Sequence, residues 1–264
     1  MGLYASRPYP GYDGLRPNRP ALSGAAGLQA LFRAEALDNY RKLVEDSSLN
    51  RAARKNQAYM PAVHTVDMAI PDADLHEPWP NGQVVWMEPT ADNGLPHTRP
   101  PNLICMSRTI PDSELQRTLL HERVHISQRL HPDAWKKILA ETWNFKPWNG
   151  QLPADIENRR RLNPDTLLMP FFIWKDTYVP VELFKNASNP SLTETDTIWW
   201  DAKSRTVFRE PPPGWTAFFG FRANGSEHPF ELIAYMVAEK KTNSPAFAAI
   251  QPRLKGLPTI EVQL

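Results

Sequence analysis

Along residues 25–58 the apolar positions fall near helical spacing. Leu28, Leu31, Phe32, Ala36, Leu43 and Val44 recur at intervals that predict one or two amphipathic helices ending before Pro61. Between 62 and 110 the period changes. Proline, aspartate and asparagine punctuate two short apolar runs, QVVWME (83–88) and NLICMS (102–107), which predict strands, with Asn93-Gly94 as the sharpest turn signal between them. The helical period returns in SELQRTLLHERVHISQRL (113–130), where Leu115, Leu119, Leu120, Val124 and Ile126 are apolar. Asp112 or Ser113 is the expected N-cap, and Ser113 followed by Gln116 spells a capping box. Pro132 ends this helix and, with Asp133, opens another over PDAWKKILAETWNF.

Residues 146–220 are rich in proline, tryptophan, phenylalanine and β-branched residues. Runs such as FFIW, TYVPVELF and DTIWW alternate between turn signals and predict a β-rich insertion with a small sheet of its own. Pro229 then opens a last helix, HPFELIAYMVAEKK, with Phe230, Ile233, Ala234 and Val237 on its apolar face. Residues 1–20 carry Pro8, Pro10, Pro17 and Pro20 among glycines and tyrosines, a composition that resists helix and predicts an extended arm. The organisation read from the pattern is therefore an arm (1–20) followed by one domain of α+β class (21–264).

Composition narrows the function classes. Thirty Lys and Arg balance twenty-nine Asp and Glu, so the formal charge of +1 gives no field for nucleic acid or an anionic membrane. No apolar run approaches the roughly 18 residues of a membrane span, and no charged-then-apolar leader opens the chain. Cys105 is the single cysteine, which excludes an internal disulfide and an all-thiolate metal site and fits the cytoplasm or another reducing compartment. MGLYAS matches the pattern for myristoylation of Gly2, which would add weak membrane association; a small residue after the start is the simpler reading.

The chemistry concentrates in HERVH (121–125). Residues four apart on a helix point the same way, so His121 and His125 can each offer a ring nitrogen to one zinc ion while Glu122 lies beside an activated water. The bland alternative is a pair of satisfied core histidines, but a glutamate buried beside them would be costly. LLHERVHISQ, including Gln128, resembles the active-site helix of zincin metallopeptidases, and of the gluzincin type in particular. The resemblance covers 113–130 and, more weakly, 229–240. It implies a zincin-like domain with an active-site helix, a second metal-ligand helix and the insertion (146–220) looped out between them.

A catalytic zinc needs a third protein ligand and an open fourth position. The gluzincin pattern implies Glu231 in HPFELIAY, where Glu231 and Tyr235 lie four apart on the face opposite Phe230, Ile233 and Val237; Glu227 is an alternate in the preceding turn. The rival is His131, whose spacing resembles the metzincin motif, with Gln128 where that family has a glycine; Met169 in LLMP would then stand in for a Met-turn, though a core methionine is simpler. Tyr235, Tyr178, His228 and Arg222 are candidates for oxyanion stabilisation, against packing, a helix cap and surface charge. By the same resemblance HTRPPNLICM would line the cleft and pair with extended substrate, with His97 near it or, more simply, exposed to solvent. The nine tryptophans read as core filling.

The expectation is a zinc metallopeptidase acting on peptide or protein, in which His121, His125 and Glu231 hold zinc and Glu122 is the general base. The alternative class is a zincin-fold structural or interaction protein within a larger assembly.

Overall fold

The computed structural model describes residues 21–54, 58–63, 82–220, 225–239, 243–254 and 257. The expected arm (1–20), Gly2 and Arg222 lie outside them. Among the described residues, no helix is long and apolar enough to cross a membrane.

The first helical stretch breaks where Asn39 takes a left-handed conformation (φ 52°) and its N–H closes on Glu35. It therefore yields α1 (Gly24–Asp38), α2 (Tyr40–Asp46) and α3 (Ser48–Ala53). Three strands follow: β1 (Gln83–Met87), β2 (His97–Arg99) and β3 (Leu103–Ser107), with a 3-10 turn (Ala91–Gly94) at the expected Asn93-Gly94. They form a sheet in the order β1-β3-β2, with β1 parallel and β2 antiparallel to β3. Next come α4 (Asp112–Leu130) and α5 (Pro132–Trp143).

The alternation of side chains along the sheet sorts two contact faces. Val85, Met87, Leu103 and Cys105 pack on Ala30, Leu31 and Ala34 of α1. Val84, Trp86, Ile104 and Met106 pack on Leu115, Leu119 and Ile126 of α4. The metal-motif helix is thereby seated by its apolar stripe and left with a second face for other work.

The capping box does not form. α4 begins one residue earlier than Ser113, after Pro111 in extended conformation, and no side chain caps its N-terminus. Proline carries no side-chain acceptor, and Ser113 already lies inside the first turn, where Asp112 and Glu114 favour the helix dipole.

The β-rich expectation for 146–220 corresponds to β4 (Phe145–Trp148), the short helix α6 (Ala154–Glu157), β5 (Phe171–Trp174), β6 (Tyr178–Phe184), β7 (Thr195–Asp201) and β8 (Thr206–Phe208). The five strands pair antiparallel in chain order. Val179, Val181, Leu183, Ile198 and Trp200 pack on Ile156. Phe172, Trp174 and Trp199 join a large aromatic core. Completing that core are α5, α7 (Trp215–Phe219), α8 (Pro229–Ala238) and α9 (Pro245–Leu254). Trp135, Trp143, Trp174 and Trp215 are fully buried there, so these tryptophans fill the core. Val124 of α4 and Phe230 and Ile233 of α8 meet in the same cluster, which brings the two helices side by side.

Candidate metal centre

His121, His125 and Glu231 converge. On α4, four residues are just over one turn, so both imidazoles leave the same face; Glu231 in the first turn of α8 points at them. The two Nε2 atoms lie 3.1 Å apart, and Glu231 places Oε2 3.4 Å from His121 Nε2 and Oε1 3.5 Å from His125 Nε2. Among the described residues this is the group of His, Cys, Asp and Glu side chains whose ligand atoms come close enough to hold one ion. Four ligands at about 2.0–2.1 Å from a tetrahedral zinc stand about 3.3–3.4 Å apart. The two imidazole nitrogens are close to that separation, each has a different Glu231 oxygen at about that distance, and one ligand atom from each residue lies within 4.8 Å of the others. The donor set of two nitrogens and a carboxylate oxygen suits zinc and other first-row divalent cations.

Hydrogen bonds hold the donors in this arrangement. Gln128, three residues past His125 on the same face, accepts from His125 Nδ1 at 2.7 Å and donates from Nε2 to the Phe230 carbonyl at 3.0 Å. Because Nδ1 carries the proton in this pairing, Nε2 keeps its lone pair for a cation. The same amide ties α4 to the residue before Glu231. Asn163 donates to Glu231 Oε1 at 2.8 Å and accepts the Asp165 N–H at 3.0 Å. Asp165 in turn takes the Thr98 N–H at 2.6 Å and its hydroxyl at 2.7 Å. Asn163 and Asp165 carry no sequence signal toward α8 beyond a turn composition, NPD, and were not foreseen.

Electrostatics follow from three buried charges. Burial disfavours a charged His125, but Glu231 outweighs it and pushes the imidazole up to about 10. Burial would raise Glu231, yet His125 and His121 hold it well below the usual carboxylate range. A divalent cation would displace any proton shared between these groups. Glu122 beside it is 2% exposed and lines the cleft, and its Oε2 has no hydrogen-bond partner. Burial, with Asp165 and Glu231 nearby, pushes its carboxyl well above the usual range.

The cleft has a volume of about 770 Å³ and runs from Thr118 and His121 on α4 to Glu182 and Thr195 on the second sheet. Tyr235 lines it, its ring edge-on to His121 with centroids 4.7 Å apart. Burial and then Glu231 raise its phenol above the ordinary value, so it stays a neutral donor. Gly225 (φ 85°) lies against this pair: a Cβ there would come within 2.4 Å of the Tyr235 ring and 3.4 Å of Glu231 Cβ.

Other candidates are placed elsewhere. His131 caps the C-terminus of α4 and is outside the converging group. With Gln128 in place of a glycine the helix runs on to Leu130, and ten residues of helix carry a side chain roughly 15 Å along the axis and about 80° around it from His121. His228 is a helix cap, its Nδ1 accepting the Phe230 N–H at 3.2 Å, and burial lowers its pKa to about 4. Glu227 sits beside Arg161. Tyr178 packs on Trp174 and Phe208, and Met169 packs against the aromatic core.

Two expectations fail here. His97 is 3% exposed; its Nε2 meets the Tyr59 hydroxyl at 2.7 Å and its Nδ1 the Leu95 carbonyl at 3.0 Å, so it is a buried network residue at the cleft wall. Nor does the three-stranded sheet offer an open edge beside the His121–His125–Glu231 cluster for extended substrate. On β2, the outward Thr98 N–H and carbonyl are taken by Asp165 and Arg129. On β1, Leu22, Met60 and Ala62 occupy the far edge.

Comparison with family models, with curated proteins and with solved structures returns no match.

Proposed function

We propose that this protein is a zinc-dependent metallopeptidase of the zincin type, gluzincin-like in taking its third ligand from a separate helix. The observation that carries the reading is the meeting of His121, His125 and Glu231 with ligand atoms within 4.8 Å of one another, close enough to hold one ion, beside a buried Glu122 whose Oε2 has no hydrogen-bond partner. Zinc held by these three side chains would supply Lewis acidity, lowering the pKa of water toward about 7 and polarising a carbonyl.

The residues of the chain perform the remaining work. With a divalent cation beside it to favour its ionised form, Glu122 accepts the proton from the attacking water and passes it to the leaving nitrogen, a role served by an oxygen kept from other partners. Tyr235 presents a neutral O–H toward the developing oxyanion. Gln128 and Asn163 fix the orientation of His125 and Glu231, so the site needs little rearrangement to bind its ion. A cleft of about 770 Å³ is roomy enough for several residues of a polypeptide. A purely structural helix would have no use for Glu122, whose orphaned oxygen is a stability cost.

The test is cleavage of denatured casein by the purified chain, with chelator and with Glu122→Gln. The reading expects chelator-sensitive cleavage that falls by about 100-fold or more in the variant while bound metal is retained. Undiminished cleavage in Glu122→Gln would refute the mechanism.

A further inference from the structure

Among the described residues, the arginines and lysine lining the cleft each face a carboxylate. Arg161 directs Nε and Nη2 at Glu182 Oε2, at 2.9 and 2.8 Å, and Thr195 hydrogen-bonds the other Glu182 oxygen. Arg117 faces Glu114 and Glu239 at 3.9 and 3.7 Å, and Lys185 faces Asp196 at 3.5 Å. Glu227 shares Arg161 with Glu182 and is the more distant of its two carboxylates. Its side chain lines the cleft and is 9% exposed, its Oε1 stands 3.7 Å from Arg161 Nη2, beyond hydrogen-bond reach, and its Oε2 has no partner. Only three residues lie between it and Glu231, and Gly225 in the same loop lies close against Tyr235 and Glu231. A carboxylate oxygen buried without a donor is costly, and such a group at the wall of a cleft is satisfied by what the cleft receives.

Building on the metallopeptidase reading, we propose that Glu227 forms a specificity subsite for a cationic side chain, lysine or arginine, of the peptide lying across the metal centre. The ammonium or guanidinium brings the donors that Oε2 lacks and adds counter-charge where Arg161 is shared with Glu182. Burial, with Glu182 and Glu231 adding to it, pushes the Glu227 carboxyl well above its usual range. An entering cation would favour its ionised form. A neutral side chain of the same length would leave Oε2 unpaired, which is the source of discrimination.

Two blocked pentapeptides, identical except for lysine or norleucine at the central residue, test this by calorimetric titration into the zinc-loaded full chain carrying Glu122→Gln. The lysine peptide is expected to bind at least about tenfold more tightly, the scale of one charge-assisted hydrogen bond, with the gap falling below about threefold when Glu227→Gln is added. Equal affinities, a gap that survives Glu227→Gln, or no binding of either peptide would overturn the proposal. The first comparison needs no change at Glu227, so it decides even if that variant does not fold. Lysine-selective binding without cleavage by the zinc-loaded wild type would sink the peptidase reading and leave the subsite standing. Equal cleavage of both peptides would do the reverse.

Discussion

Replacing Gln128 with leucine separates the metal-positioning network from the fold that carries it. Gln128 is 1% exposed and makes two hydrogen bonds, one to each metal helix. Leucine fills much of the same volume but leaves His125 Nδ1–H without an acceptor, at about 1–3 kcal/mol, and removes one of the bonds to the Phe230 carbonyl, at about 0.5–1.5 kcal/mol. The sum is a loss of roughly 2–4 kcal/mol in stability, read as a shift in urea midpoint without a change in slope. If His125 holds zinc as proposed, it loses its orienting partner as well, and zinc affinity measured by chelator competition should fall about 10–100-fold. Gln128→Glu provides the contrast. Its carboxylate still accepts from His125 but faces the Phe230 carbonyl with no donor, so it should retain affinity to within a few-fold while losing stability. Zinc affinity in Gln128→Leu within twofold of wild type would refute the assignment of Gln128 as the residue that sets His125.

Gly225→Ala should weaken zinc binding as well as stability, because a Cβ would enter the Tyr235 ring and crowd Glu231. Gly214→Ala is the control: it shares the φ of 85° but meets only Lys175 Nζ at 3.5 Å, so it should cost about 1–3 kcal/mol of strain and leave metal binding unchanged. Asp92→Asn should cost about 3–5 kcal/mol, since it strands the buried Arg54 guanidinium now 2.8 Å from Asp92 and removes the charged acceptor of the Tyr40 hydroxyl. Burial would raise Asp92, but Arg54, His97 and Tyr40 outweigh it and hold the carboxyl below its usual range. Its contribution is therefore full above the unfolded pKa of about 4 and is lost as pH falls through the folded value, so urea midpoints of wild type and variant should converge in acid.

The site was legible where chemistry and spacing coincide locally. HERVH sets two imidazoles and a carboxylate on one helix by period alone, and the apolar stripe of Leu115, Leu119 and Ile126 seats that helix on a sheet. Glu231 could be nominated only by resemblance; its meeting with the histidines depends on the packing of Val124, Phe230 and Ile233, contacts across a hundred residues of chain. Long-range polar contacts left no periodic trace. Asn163 and Asp165 read as turn residues, yet one orients Glu231 and the other closes the sheet edge at Thr98. His97 looked exposed because its neighbours are proline and threonine; Tyr59, thirty-eight residues earlier, buries it. The helix start was misplaced by one residue with Asp112 as the N-cap and by two with Ser113, because Ser113 and Gln116 satisfy a local rule that an extended Pro111 pre-empts.

The most direct test of the central claim is the metal content of the purified chain by elemental analysis, for wild type, Glu231→Ala and His131→Ala. About one zinc per chain, lost in Glu231→Ala and kept in His131→Ala, is the predicted result. A folded wild type that stays metal-free in excess zinc, or metal lost with His131 and kept without Glu231, would contradict it.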